Sequence, residues 1–148
     1  MKKCLITLVA VAALLIPSLA LKADHDRIIS PEQLPAAAKA FVQQHFPQLT
    51  ISFAKKDYDN MKTKYEVTLS DGTEIDFSSK GEWDKVDRHY NAVPDAIVPA
   101  AIKSYVQANF PNTPIVKIDI ERHGYDIELA NDLELKFDKG GRLMYIDD

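Results

Sequence analysis

The chain has 148 residues, 18 lysines and arginines against 22 aspartates and glutamates, and a formal charge of −4 at neutral pH. An acidic chain without clustered Lys and Arg is unsuited to a polyanion, which argues against nucleic acid as a partner and tolerates a basic protein. The single cysteine is Cys4, so once the first residues are removed no disulfide can form and stability must come from packing alone.

Lys2 and Lys3 precede an apolar run from Leu5 to Ile16, then Pro17 and the small-x-small triplet Ser18-Leu19-Ala20, the order of a secretory signal peptide. The run is about a dozen residues, short of the roughly 20 that a membrane-crossing helix needs. Residues 1–20 are therefore expected to be cleaved, leaving a periplasmic or secreted chain with no stable membrane anchor. Cys4, preceded by Lys3, is a poor acylation site and leaves with the leader. Loss of Lys2 and Lys3 takes the charge from −4 to −6.

Residues 21–29 are polar and read as a flexible lead. Ser30-Pro31-Glu32-Gln33 has the form of a capping box with proline at the first helical position, but Pro35 follows too soon for one straight helix. This predicts a single turn at 31–33 and a main helix from about Pro35, with Leu34, Ala37, Ala38, Phe41, Val42 and Phe46 on one face and Pro47 as its stop. Ile51 and Phe53 open a strand that runs through Lys55-Lys56-Asp57 to a turn near Asp59-Asn60.

In YEVTLSDGTEIDF, Tyr65, Val67 and Leu69 alternate with polar residues, and after Asp71-Gly72 the alternation resumes at Ile75 and Phe77. That pattern predicts an antiparallel hairpin closed by a tight type I′ turn, followed by a strand through Trp83 and Val86.

The pattern then recurs. LPAAAKAFVQQHFP (34–47) aligns without a gap on VPAAIKSYVQANFP (98–111), and YEVTLSDGTEIDF on YDIELANDLELKF (125–137). The helix offset is 64 residues and the hairpin offset 60, so the first copy carries four extra residues, assigned to the turn near Asp57 to Thr63. The expected fold is α+β: a tandem repeat of one helix packed on a roughly four-stranded antiparallel sheet, residues 30–90 and 91–148. Each unit is marginal alone, so the two are expected to share an interface.

Catalysis finds little support in the residues. No serine sits in a glycine-flanked elbow, and His25, His45, His89 and His123 are scattered without metal-ligand spacing. Asp57, Asp59 and Asn60 lack the spacing of a calcium loop, and Lys139-Gly140-Gly141 is a turn rather than a phosphate cradle. No catalytic residue, metal or cofactor is assigned. With the apolar hairpin residues facing the helix, Glu66, Glu74, Asp76, Asp126, Glu128 and Glu134 face away as a wide acidic surface. Tyr58, Trp83 and Tyr145 fall outside the simple core pattern. Trp83 has opposite parity to Val86, so both can face the core only across a bulge. Large amphipathic rings beside charges serve as protein anchors, and Asp71 at a hairpin tip can enter a basic cleft. Tyr58, Asp71, Trp83 and Tyr145 are thus the candidate binding residues.

The leader, the two FP helix ends, the DG hairpin and the GEW closing strand resemble the PepSY-like family of β-lactamase-inhibitor-like secreted proteins of Bacteroides-type bacteria, over about Ile29 to Asp147. The resemblance implies helix-plus-sheet repeats as in the β-lactamase inhibitor protein, whose concave sheet and hairpin tips grip an enzyme, and a binding or inhibitory role in the cell envelope. The inhibitor's disulfides have no counterpart here. The expectation is a non-enzymatic protein-binding module directed at a peptidase or other hydrolase, with a small-ligand or cation-binding protein using the acidic face as the alternative.

Overall fold

Prolines place both helices. In the computed structural model, which describes residues 26–59 and 61–148, Pro35 and Pro99 are the extended residues that precede α1 (Ala36–His45) and α2 (Ala100–Asn109). Phe46 and Phe110 close the two helices by donating N–H to the carbonyls of Val42 and Val106, each at 2.8 Å, and the following Pro47 and Pro111 cannot continue them. A single 3₁₀ turn at Pro31–Gln33 leads into α1, with Gln33 Oε1 accepting from the Ser30 N–H at 3.0 Å. A second, Asp95–Ile97, leads into α2.

Nine strands make up the rest of the regular structure among the described residues: β1 (Arg27–Ile28), β2 (Ile51–Asp59), β3 (Lys62–Leu69), β4 (Glu74–Ser78), β5 (Trp83–Asp87), β6 (Ile115–Ile120), β7 (Gly124–Leu129), β8 (Glu134–Asp138) and β9 (Leu143–Asp147). Strand β1 falls within the stretch expected to be a lead, while the signal peptide lies outside the described residues.

The expected α+β tandem of a helix on a four-stranded sheet is corrected. All nine strands form one antiparallel sheet in the order β1 to β9, so the fold is mostly sheet with two helices. The join is β5 against β6, in the register Lys85↔Asp119, Val86↔Ile118 and Asp87↔Lys117. Its physical cause is burial. Val86 and Ile118 are both 0 % exposed, and separate sheets would leave each on an open edge, at a cost of roughly 1.5–3 kcal/mol per side chain.

Directly opposed residues of an antiparallel ladder share a face, so the register traces an apolar row across eight strands. It runs Ala54, Val67, Ile75, Val86, Ile118, Ile127, Leu135 and Ile146. Both helices lie on this face. Phe41 of α1 meets Phe77 edge-on at 5.7 Å between centroids, and Tyr105 of α2 meets Phe137 at 5.5 Å. Of the six residues assigned to the apolar face of the first helix, Leu34, Ala38, Val42 and Phe46 are buried, Phe41 packs at the core margin and Ala37 is exposed.

The turn at Asp71-Gly72 also departs from expectation. Gly72 is left-handed at φ +86°, but Asp71 is not, so the two-residue type I′ form is excluded. Gly72 N–H instead donates to Leu69 O at 2.9 Å and Leu69 N–H to Thr73 O at 2.8 Å, a three-residue loop with a left-handed third residue. The same loop recurs with Asp132 at φ 66°. The four extra residues of the first half are taken up as ladder, which runs out to Asp59↔Lys62 before Met61 turns at φ 64°.

Candidate functional site: the open polar face of the sheet

The face opposite the helices carries two charged rows. One runs Lys55, Glu66, Asp76, Lys85, Asp119, Asp126, Lys136 and Tyr145; the other Phe53, Thr68, Glu74, Asp87, Lys117, Glu128, Glu134 and Asp147. Four acids in the first row and five in the second stand against three lysines and one. Glu66↔Asp76, Glu74↔Asp87, Asp119↔Asp126, Glu128↔Glu134 and Glu134↔Asp147 place like charges directly opposite, an arrangement that costs stability rather than adding to it.

The lysines partly compensate. Lys55 Nζ lies 2.8 Å from Glu66 and 3.0 Å from Asp26, and these bonds, Glu66 first, hold its ammonium charged well above the usual lysine range. Lys117 Nζ lies 3.6 Å from Asp119 and 3.7 Å from Glu128, and Lys136 Nζ 3.0 Å from Asp126, whose other oxygen is 2.7 Å from His123 Nε2. Asp76 is served less well, with Lys85 at 4.0 Å. Burial pushes its carboxyl up to about 6, with repulsion from Glu66 and Asp84 adding and Lys85 and Lys64 opposing. Burial likewise raises Asp119, against Lys117 and Lys85. Two shallow hollows mark these spots: about 290 Å³ bounded by Lys55, Glu66, Asp76 and Lys85, and about 200 Å³ bounded by Lys117, Asp119, Asp126 and Glu134. A larger hollow of about 420 Å³ lies beside α2, lined by Val93, Val98, Val106, Phe110 and Pro114. It is mostly apolar with only Lys103 and Asp95 as a charged pair, so the polar face carries the richer chemistry.

The four candidate binding residues do not converge. Tyr145 alone is on the polar face, half exposed, with Lys136 Nζ 5.8 Å above its ring. Trp83 stacks on Phe41 at 5.7 Å on the helix face, because a bulge between Asp76 and Phe77 lets it share that face with Val86. Tyr58 is exposed near the end of the long β2–β3 arm, with the parity of Ala54, on the helix side. Asp71 is engaged by its own chain. Arg88 Nη2 donates to its Oδ2 at 2.7 Å and the Thr73 N–H to its Oδ1 at 2.9 Å. Burial, the largest influence, would raise this carboxyl, but the bonds from Thr73 and Arg88 together bring it down to about 2. Arg88 also donates to Thr73 Oγ1 at 3.2 Å and Ala92 O at 2.8 Å, and its guanidinium lies over Phe46 at 5.6 Å. Sequence reasoning missed Arg88. Its signal was a paired difference between the halves, since Asn131 stands at the place of Asp71 and Asp148 at that of Arg88.

The family described as "Putative beta-lactamase-inhibitor-like, PepSY-like" matches residues 63–145. The chain belongs to this PepSY-like family. Solved structures similar to this PepSY-like chain come from Bacteroides. A "putative periplasmic protein from DUF2874 family" of Bacteroides vulgatus ATCC 8482 is 39% identical, covering 85% of this chain and 99% of that one, with a TM-score of 0.81. A "putative periplasmic protein of unknown function" from the same strain is 37% identical over 83% and 99%, TM-score 0.81. A "putative calcium-regulated periplasmic protein" of Bacteroides thetaiotaomicron is 39% identical over 85% and 99%, TM-score 0.81. No curated protein matches the chain. The PepSY-like chain is a periplasmic or secreted protein, and no helix among its described residues is long and apolar enough to cross a membrane.

Proposed function

We propose that the protein is a non-enzymatic binding module of the cell envelope whose open sheet face docks another protein, with inhibitor-like action toward a peptidase or other hydrolase as the form its family description favours. One observation carries this. A face eight strands wide keeps opposed carboxylates at five places, with Phe53 and Tyr145 exposed at its two ends, and that arrangement serves docking better than folding. The partner it fits presents lysines or arginines.

The test compares the mature protein with a Glu66→Lys, Glu128→Lys variant, both immobilised and exposed to envelope extract. A protein retained by the first and released by the second supports the reading. Equal retention by both, or by neither, refutes it.

A second reading follows from the raised carboxyls of Asp76 and Asp119 and from the calcium-regulated description of the similar Bacteroides thetaiotaomicron protein. On this reading the acidic face takes up a cation. Calcium titration with thermal melting decides it, because a ligand specific to the native state must raise the midpoint by mass action. A flat midpoint up to millimolar calcium removes this alternative.

A further inference from the structure

Strand β9 is an edge whose one charged residue, Asp147, stands at its end. Leu143, Met144, Tyr145 and Ile146 follow one another with no lysine, proline or glycine between them, and Met144, Tyr145 and Ile146 are 52, 48 and 43 % exposed. The opposite edge, β1, is only two residues long. Natural edges are ordinarily blunted by shortness, charge or proline, because their unpaired N–H and C=O groups are a template for another strand.

The chain itself shows what such an edge accepts. Strand β5 enters the sheet as β9 does, with a bulge at the same place, between Asp76 and Phe77 in one and between Lys136 and Phe137 in the other. Yet Val86 of β5 is 0 % exposed because β6 lies beside it, whereas Ile146, the last member of the same apolar row, is open. Strand β6 meets β5 with Ile118 opposite Val86 and Lys117 opposite Asp87. Asp147 holds the place of Asp87 on β9, next to Glu134 and then Glu128. Among the described residues neither Glu134 nor Asp147 has an ion pair, although Glu134 acts at longer range on Lys117 and Lys136, so this end of the second row is acidic.

We infer that β9 accepts one extended strand of a partner protein, added antiparallel, with an apolar side chain opposite Ile146 and a lysine or arginine opposite Asp147. This rests on the protein-binding reading above and specifies its mode: main-chain hydrogen bonds supply adhesion, and the Ile146 and Asp147 positions supply selection. A second copy of the chain is a poorer occupant. Pairing β9 with itself would bring two acidic faces side by side and build an eighteen-stranded sheet, well past the roughly ten strands at which twisted open sheets stop.

The probe is a synthetic peptide with the sequence of residues 113–120, TPIVKIDI, and a second in which glutamate replaces its lysine, each titrated into the full mature protein while backbone amide exchange is followed by NMR. The expected result is slowed exchange at Tyr145 to Asp147, at least fivefold tighter binding of the lysine peptide, and loss of both in Ile146→Lys with an unchanged melting temperature. No slowing in β9 at millimolar peptide, or equal affinity for the two peptides, overturns the inference. So does a concentration-dependent dimer in sedimentation that Ile146→Lys dissolves. If β9 fails while Glu66→Lys, Glu128→Lys still abolishes partner capture, the edge is refuted and the face reading stands. If capture also fails, both are refuted.

Discussion

Asp76 makes the stability of this protein depend on pH in a direction opposite to that of most carboxylates. Its side chain is 23 % exposed, faces Glu66 across the ladder and has its lysine, Lys85, only at 4.0 Å. Burial above all brings its folded carboxyl up to about 6, against 3.8 in a model peptide. The native state therefore holds the proton more tightly than the unfolded state. The stability this proton brings is fully present below pH 3.8 and is lost as pH rises through about 6. Taking 1.36 kcal/mol per pH unit, the loss is about 3 kcal/mol at most. Asp76→Asn cannot ionise, and it also gives up the long contact with Lys85, worth under about 1 kcal/mol. The variant is expected to match the parent at pH 4 and to exceed it by about 1–2 kcal/mol at pH 7.5. Urea unfolding at half-unit steps from pH 4 to 8 measures this. A difference that does not vary with pH, or a parent that gains on the variant between pH 4 and 7, would refute the placement of Asp76 in a desolvated, under-compensated position.

Asp71 works in the opposite sense. With its folded carboxyl near 2, the stability it contributes is present above pH 3.8 and is lost as pH falls through 2, and a double-mutant cycle of Asp71→Asn with Arg88→Met should return a coupling of about 1–2 kcal/mol at pH 7 that has fallen by about half or more at pH 2. Gly81, at φ +82°, would bring a Cβ within 2.8 Å of Pro35 Cβ and 2.9 Å of the Ala38 nitrogen, so Gly81→Ala is expected to cost about 2–4 kcal/mol in chemical unfolding. At Gly72 the space is open and only the left-handed backbone is strained, so Gly72→Ala should cost about 1 kcal/mol. Trp83→Ala removes the stack on Phe41 and should lower stability by about 2–3 kcal/mol, whereas Tyr145→Ala should stay within about 0.5 kcal/mol and change binding alone.

Local chemistry was legible in the sequence wherever one residue type forces one geometry. Pro35 and Pro99 set the helix starts, Pro47 and Pro111 their ends, and alternation at 65–69 and 75–77 fixed which side chains meet α1. The joining of β5 to β6 was not legible. Pairing across a helix and a linker leaves no periodic mark, and each side of the junction reads as an ordinary strand. The bulges in β5 and β9 hid for a related reason. One extra residue shifts parity, so a core position for both Trp83 and Val86 hung on a bulge that only the ladder reveals, with Trp83 stacked on Phe41 and Val86 buried. The polar face was foreseen in its acids, Glu66, Glu74, Asp76, Asp126, Glu128 and Glu134, yet Asp119 and Lys117 join it only through β6 and the register.

Because every strand hydrogen-bonds to the strand before and after it in the chain, the protein needs no crossover to assemble. A polypeptide threaded into the periplasm amino end first can lay down each strand against one that has already emerged, and short loops keep the entropy of each closure small. The longest wait comes between Asp87 and Ile115, where α2 must arrive before β6 can dock. Until then β5 is bare, and a chain stalled there would present to its surroundings the Val86 edge that the mature protein never shows.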